Sequence, residues 1–242
     1  MTTFTFSVRL QRREEVAHGT TAFHFDKPAG FSFKPGQAVD LILLDPPTTD
    51  GANGRHAFSI VSAPFEPELV VATRMRDSVF KSALKGLPIG SSAQLEGPFG
   101  SLTLHNDRAR PAVFIAGGIG ITPFMSILRQ ATKDQLQQRL VLLYSNRRPE
   151  DSAFLVELQQ LERENKNFRL VATMTQMRVS KLPWQGETGL LGEALLKKIG
   201  AELVAPIYYL AGPPTMVGAL RDNLNHAGVN DDDIRSEEFY GY

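Results

Sequence analysis

Apolar and polar positions follow two different rhythms along the chain. Up to about residue 105, short alternating or β-branched runs recur at 3–10, 20–25, 38–44, 57–61, 69–73 and 93–96, the period-two pattern of strands with one buried face. Between them stand Lys34-Pro35-Gly36-Gln37, Asp45-Pro46-Pro47, Asp50-Gly51-Ala52-Asn53-Gly54 and Gly97-Pro98-Phe99-Gly100, residue types that reverse a chain. Strands spaced in this way predict a small closed antiparallel β-barrel. The stretch 78–85 breaks the alternation and predicts a single short helix.

From Arg110 onward, strands read at 111–116, 139–144, 168–174, 206–211 and 234–238 alternate with helices at 123–131, 152–164, 192–199 and 214–227. Alternating strands and helices predict an α/β doubly wound parallel sheet. The polar link Asn106-Asp107-Arg108-Ala109-Arg110 places the boundary, giving a β-barrel domain over 1–106 and an α/β domain over 107–242. The segment 176–186, with the sole tryptophan Trp184, reads as a surface loop.

One turn carries chemistry. Gly117-Gly118-Ile119-Gly120-Ile121-Thr122-Pro123 follows an apolar strand and opens a helical pattern. Glycines permit positive φ and close backbone approach, and a helix start offers unpaired N–H groups, so a pyrophosphate is the expected guest. Thr122 suits a cap, and Pro123 suits the first helical turn, where its missing N–H is no loss.

Composition removes alternatives. Of 242 residues 42% are hydrophobic, and 26 basic residues balance 26 acidic ones, which gives no footprint for nucleic acid. The absence of cysteine excludes disulfides, thiol catalysis, cysteine-ligated zinc and thiolate-held iron–sulfur clusters on these residues; no metal site is expected. No apolar run approaches the roughly 20 residues that span a bilayer. The first residues alternate like a strand rather than a signal peptide, so a cytoplasmic protein without membrane partners is expected.

Taken together, six stretches resemble the ferredoxin–NADP reductase-like family over nearly the whole chain. Phe33-Lys34-Pro35-Gly36-Gln37, His56-Ala57-Phe58-Ser59-Ile60 and Gly97-Pro98-Phe99-Gly100 are similar to its flavin domain; Gly117 to Pro123 and Ala211-Gly212-Pro213-Pro214-Thr215-Met216 are similar to its nicotinamide motifs. The end, Ser236-Glu237-Glu238-Phe239, resembles its aromatic-bearing terminus. The resemblance implies FAD in preference to FMN, lying in the cleft between two domains and reduced by a nicotinamide nucleotide.

By position, the resemblance sets Phe58 against the flavin and Ser59 near its N5. It gives Thr73, Arg74 and Met75 to the flavin's lining, and Ser78, Val79 and Phe80 to a turn around its pyrophosphate. Where relatives carry a phosphate-binding arginine this chain has His56, with Arg55 one residue out of register, and Arg74 or Arg76 is expected to supply the missing charge. Gly117, Gly118, Gly120, Thr122, Pro123, Ala211, Gly212 and Pro213 fall to the nicotinamide nucleotide; Ala211 stands where many relatives carry cysteine. Phe239 is expected to shield the flavin, with Glu237 as the nearby carboxylate, and Tyr240 and Tyr242 form an extension over the adenine half. Ser145, Asn146 and Arg147 end the second strand of the sheet without an acidic residue, which favours NADPH over NADH. The expected activity is electron transfer from NAD(P)H through FAD to a separate acceptor, a ferredoxin, a flavodoxin or an oxygenase component. A flavin reductase or diaphorase, and a non-catalytic electron-transfer or regulatory subunit, are the alternatives.

Overall fold

In the computed structural model, which describes residues 4–44 and 54–240, the two rhythms become two six-stranded sheets. The first holds β1 (Thr5–Ala17), β2 (Thr20–Asp26), β3 (Ala38–Leu43), β4 (Arg55–Ser59), β5 (Glu68–Arg74) and β6 (Ser92–Phe99), with helix α1 (Val79–Gly86) between the last two. Its pairings are all antiparallel, in the order β4-β3-β6-β1-β2-β5. Inward residues such as Val8, Phe23, Leu41, Phe58 and Val71 bury one another, so the sheet curls around its own side chains.

The expected closed barrel is only barrel-like. Its edges β4 and β5 are joined, among the described residues, by the single Ile60–Val71 bridge. The ladder stops because the Ser62 hydroxyl accepts the Val70 N–H at 3.0 Å, taking a donor that a longer strand pair would use. β1 outruns its expected end at residue 10: register shifts near Leu10 turn it from its β6 pairing to its β2 pairing. The anticipated reversal at Gly97 to Gly100 lies mostly within β6, and those at 45–47 and 50–53 lie outside the described residues.

The second sheet follows as β7 (Ala112–Gly117), α2 (Thr122–Lys133), β8 (Leu140–Asn146), α3 (Leu155–Glu164), β9 (Phe168–Met174), β10 (Glu187–Thr188), α4 (Glu193–Ala201), β11 (Ile207–Gly212), α5 (Pro214–His226) and β12 (Ile234–Glu238). All strands are parallel, in the order β10-β9-β8-β7-β11-β12. The order reverses between β7 and β11, and in such sheets the crevice beyond the strand ends at the reversal receives ligands.

Two helix starts differ from expectation. A 3-10 turn, Gly118–Ile121, precedes α2, so Thr122 is its first residue rather than its cap and donates its hydroxyl to the Ile119 carbonyl at 3.0 Å. The helix expected from 152 begins only at Leu155, and Arg148 holds the Asp151 carboxylate before it. The loop after β9 contains the 3-10 turn Met177–Val179 and leads to β10, where Trp184 donates to the Glu187 carbonyl at 2.8 Å.

Helix α2 joins the sheets: Phe124, Met125, Ile127 and Leu128 share one buried cluster with Val61, Val70, Ala72 and Leu102 of the first. The glycine turn before it is packed to its limit, since a Cβ at Gly120 would lie 2.2 Å from the Ala211 carbonyl oxygen. Gly120→Ala is therefore expected to cost roughly 1–3 kcal/mol, whereas Gly218→Ala, in open space within α5, is expected to gain about 0.5–1 kcal/mol. Urea denaturation of both variants checks this; equal effects would contradict the packing.

Candidate functional site

Between the two sheets lies a cavity of about 440 Å³. Its first wall is Ala38, His56, Ala57, Phe58 and Ser59 with Ala72, Thr73 and Arg74; Lys81 of α1 completes that side. Opposite stand Ile119 and Thr122 at the start of α2, and Glu237, Glu238, Phe239 and Tyr240 at the end of β12.

The strand β4 supplies a flat floor. The His56 ring stacks on Phe58 with centroids 4.8 Å apart and planes at 23°, and Phe80 lies 5.4 Å from His56 and 6.0 Å from Phe58. His56 Nδ1 lies 3.0 Å from the Ala57 carbonyl. Arg55 is engaged away from this floor, paired with Glu96 and, at 3.7 Å, with Asp40. Beside the floor, Ser59 Oγ is buried with no hydrogen-bond partner among the described residues. A buried hydroxyl without a partner is costly, and its place on a cavity wall suits a ligand contact.

Charges in the cavity are shifted by burial. Glu237, in register with Ala211, holds its proton above the ordinary value of 4.5 because burial penalises the carboxylate. Lys81, only 7% exposed, donates to the Arg74 carbonyl at 3.1 Å. Burial, and then the nearby Arg76, lower its pKa. The Phe239 N–H is held by the Gly212 carbonyl at 2.9 Å, which sets its ring against the cavity, and the Tyr240 hydroxyl donates to Glu238 at 2.5 Å. Tyr242 lies outside the described residues.

Other predicted residues surround the cavity without lining it. Met75 packs against the first sheet's core, Ser78 accepts the Lys81 N–H as the cap of α1, Val79 begins that helix, and Phe80 backs the floor. Arg76 is exposed. Gly117 and Gly120 meet Ala211, Gly212 and Pro213 at the order reversal, where a Cβ at Gly212 would lie 3.1 Å from the Gly117 nitrogen and one at Gly117 3.0 Å from Pro213, whereas Gly118, with φ +54°, has open space beside it. Met216 packs there too, and Pro123 is buried in the first turn of α2. At the end of β8, Ser145 is in register with Gly117, Asn146 is buried with its Nδ2 unpartnered, and Arg147 is exposed. The pattern that could have revealed Lys81 is its place on the buried stripe of α1, next to Phe80 and three residues before Leu84. Ala38, Ala72 and Ile119 are too small or too apolar to mark a site.

Comparison with known proteins agrees with this layout. Residues 114–222 match the model of the oxidoreductase NAD-binding domain. The chain is 29% identical over 216 residues to the reductase component of propane 2-monooxygenase from Mycolicibacterium smegmatis, covering 88% of this chain and 61% of that protein. It is 28% identical over 223 residues to the glycine betaine monooxygenase reductase subunit of Chromohalobacter salexigens, covering 91% of this chain and 60% of that protein. Among solved structures, a ferredoxin NADP+ reductase from Neisseria gonorrhoeae with bound FAD and NADP superposes with a TM-score of 0.79 at 23% identity, covering 97% of this chain and 98% of that one. The chain is similar to reductase components of oxygenases and shares the ferredoxin–NADP reductase-like fold. It spans about three fifths of the length of the curated relatives it matches. The Amycolatopsis cytochrome P450 reductase GcoB has the same fold, with a TM-score of 0.84 at 21% identity over 98% of this chain and 70% of that one. Among the described residues of this reductase-like chain no cluster of metal-ligating side chains occurs, and no helix is long and apolar enough to cross a membrane.

A raised Glu237 pKa means that the folded chain binds this proton more readily than the unfolded one. Its contribution is favourable below the unfolded value and is lost as the pH rises through the folded one. Glu237→Gln is expected to match the parent's denaturation midpoint near pH 4 and to exceed it near pH 7; a constant difference would contradict the buried acid.

Proposed function

We propose that this chain is a flavin-dependent oxidoreductase that carries electrons from NAD(P)H through FAD to a separate acceptor. Residues 1–106 hold the flavin, and 107–242 hold the nicotinamide nucleotide. The observation that carries the reading is the unpartnered Ser59 hydroxyl in an aromatic-floored cavity at the order reversal of the parallel sheet. A bound flavin takes up two electrons as a hydride and releases them singly. The residues present fit it: His56 and Phe58 offer a flat surface, Ser59 a hydrogen-bond donor for a ring nitrogen, and Phe239 a cover. Glu237 lines the cavity too, and burial raises its pKa above the ordinary value.

The nucleotide reading rests on the tight packing of the glycine turn. Gly120 packs against Ala211 and Gly117 against Gly212, while the open space beside Gly118 leaves the backbone before α2 accessible to phosphate, and Ala211 to Pro213 would form a wall for the nicotinamide. Arg148 is committed to Asp151, whereas Arg147 is exposed beside Ser145 and Asn146. That leaves Arg147 to meet a 2′-phosphate, and NADPH is the preferred coenzyme. These 242 residues contain no cysteine, so an acceptor with a thiolate-held cluster sits elsewhere. The relatives' designation as reductase components of monooxygenases favours an oxygenase component, or a carrier such as ferredoxin or flavodoxin, as that acceptor.

Anaerobic titration of the FAD-reconstituted protein tests the reading. Bleaching of the flavin band by NADPH, faster than by NADH, is expected, and Arg147→Ala should remove the difference. Ser59→Ala should keep the flavin yet slow reduction roughly 10- to 100-fold, the worth of one hydrogen bond to developing charge. A protein that takes up no flavin would overturn the proposal.

A further inference from the structure

We propose that Lys81 is the cation that binds the flavin's phosphate, taking the place of the arginine absent at position 56; this rests on the flavin reading above. The ammonium is on the cavity wall and almost wholly buried, at 7% exposure. An ammonium has three donors, and here the Arg74 carbonyl, at 3.1 Å, is the one acceptor the chain supplies among the described residues. Among the described residues no carboxylate pairs with it, and the charge that acts on it is the cation Arg76. A buried charge without a counter-ion is a standing cost, and an anion entering the cavity would remove it.

The other candidate cations are committed or misplaced. His56 spends its ring on the stack with Phe58 and Phe80, Arg55 is paired with Glu96 and Asp40, and Arg76 is exposed and off the cavity wall. Arg74 does line the cavity, and its carbonyl anchors Lys81, so the two cations stand together at the α1 side of the aromatic floor. Ser78 caps α1 by accepting the Lys81 N–H at 3.3 Å, which fixes the lysine in the first turn of the helix. Its ammonium then recognises phosphate as a point charge, without the two-pronged geometry of a guanidinium.

This predicts discrimination by phosphate. The flavin-free full chain is titrated with FAD, FMN and riboflavin by flavin fluorescence, for the parent and for Lys81→Gln, Lys81→Arg and Lys85→Gln. Lys81→Gln should weaken FAD and FMN by about tenfold or more, leave riboflavin within about twofold, and lower the salt dependence of binding. Lys81→Arg should restore most of the loss, and Lys85→Gln should change nothing. Equal weakening of all three flavins with a lowered melting temperature would reduce Lys81 to a tie between α1 and β5 and overturn the inference, as would unchanged FAD affinity. A parent protein that binds none of the three flavins would overturn the functional reading itself.

Discussion

Everything at the site depends on how helix α2 is fastened to the first sheet. Its Ser126 hydroxyl donates to the Ser62 carbonyl at 2.7 Å, and Arg129 reaches the Val61 carbonyl and Glu66 at 3.3 Å while gripping Glu157 at 2.6 and 2.9 Å. Each bond to a charged group contributes about 1.5–3 kcal/mol, and each neutral one about 0.5–1.5 kcal/mol. The bonds to Val61, Ser62 and Glu66 act on the segment 61–66, where the first sheet fails to close, and Glu157 of α3 holds the Arg129 guanidinium in place. The helix thus takes the place of a missing strand pairing, and its first turn, with Thr122, is held opposite Ser59 across the cavity.

Burial then gives the cavity its character. It raises the pKa of Glu237 and lowers that of Lys81, pushing acid and base alike toward their neutral forms. The hydroxyl of Ser59 has no partner among the described residues, and the rings of His56, Phe58 and Phe80 present a continuous face. A guest that is flat, carries hydrogen-bonding nitrogen and ends in phosphate would cover the rings, partner the Ser59 hydroxyl and meet the Lys81 ammonium at once. The neighbouring glycine turn and the Ala211 to Pro213 segment supply a second, separate place for a nucleotide beside it.

Much of the fold was legible because each sheet is built by a clean period. The run at 168–174 coincides with β9, since strands of a sheet covered by helices are nearly continuous in apolar residues. The second half of β1 was invisible: Gln11, Arg12, Arg13, Glu14 and Glu15 form a charged ribbon held by pairing with β2 and by ion pairs such as Arg12 with Glu68, with no apolar alternation to see. Failure of the barrel to close came from one side-chain hydroxyl, Ser62, competing for a backbone donor, an event with no period. Motif resemblance marked the floor of the cavity and the glycine turn, but not Lys81, whose charge belies a position on the buried stripe of α1. The α3 start at Leu155 was missed, and Asp151 before it is paired with Arg148.

The central claim is that one cavity, bounded by β4, α1, the start of α2 and the end of β12, is built for a flavin. The most direct measurement is a crystal structure of the FAD-loaded protein. The account predicts density for the flavin ring on Phe58, with Ser59 within hydrogen-bond reach of a ring nitrogen, the phosphate beside Lys81 and Phe239 over the exposed face. Flavin density anywhere else, or a loaded crystal in which Ser59 still lacks a partner, would contradict it.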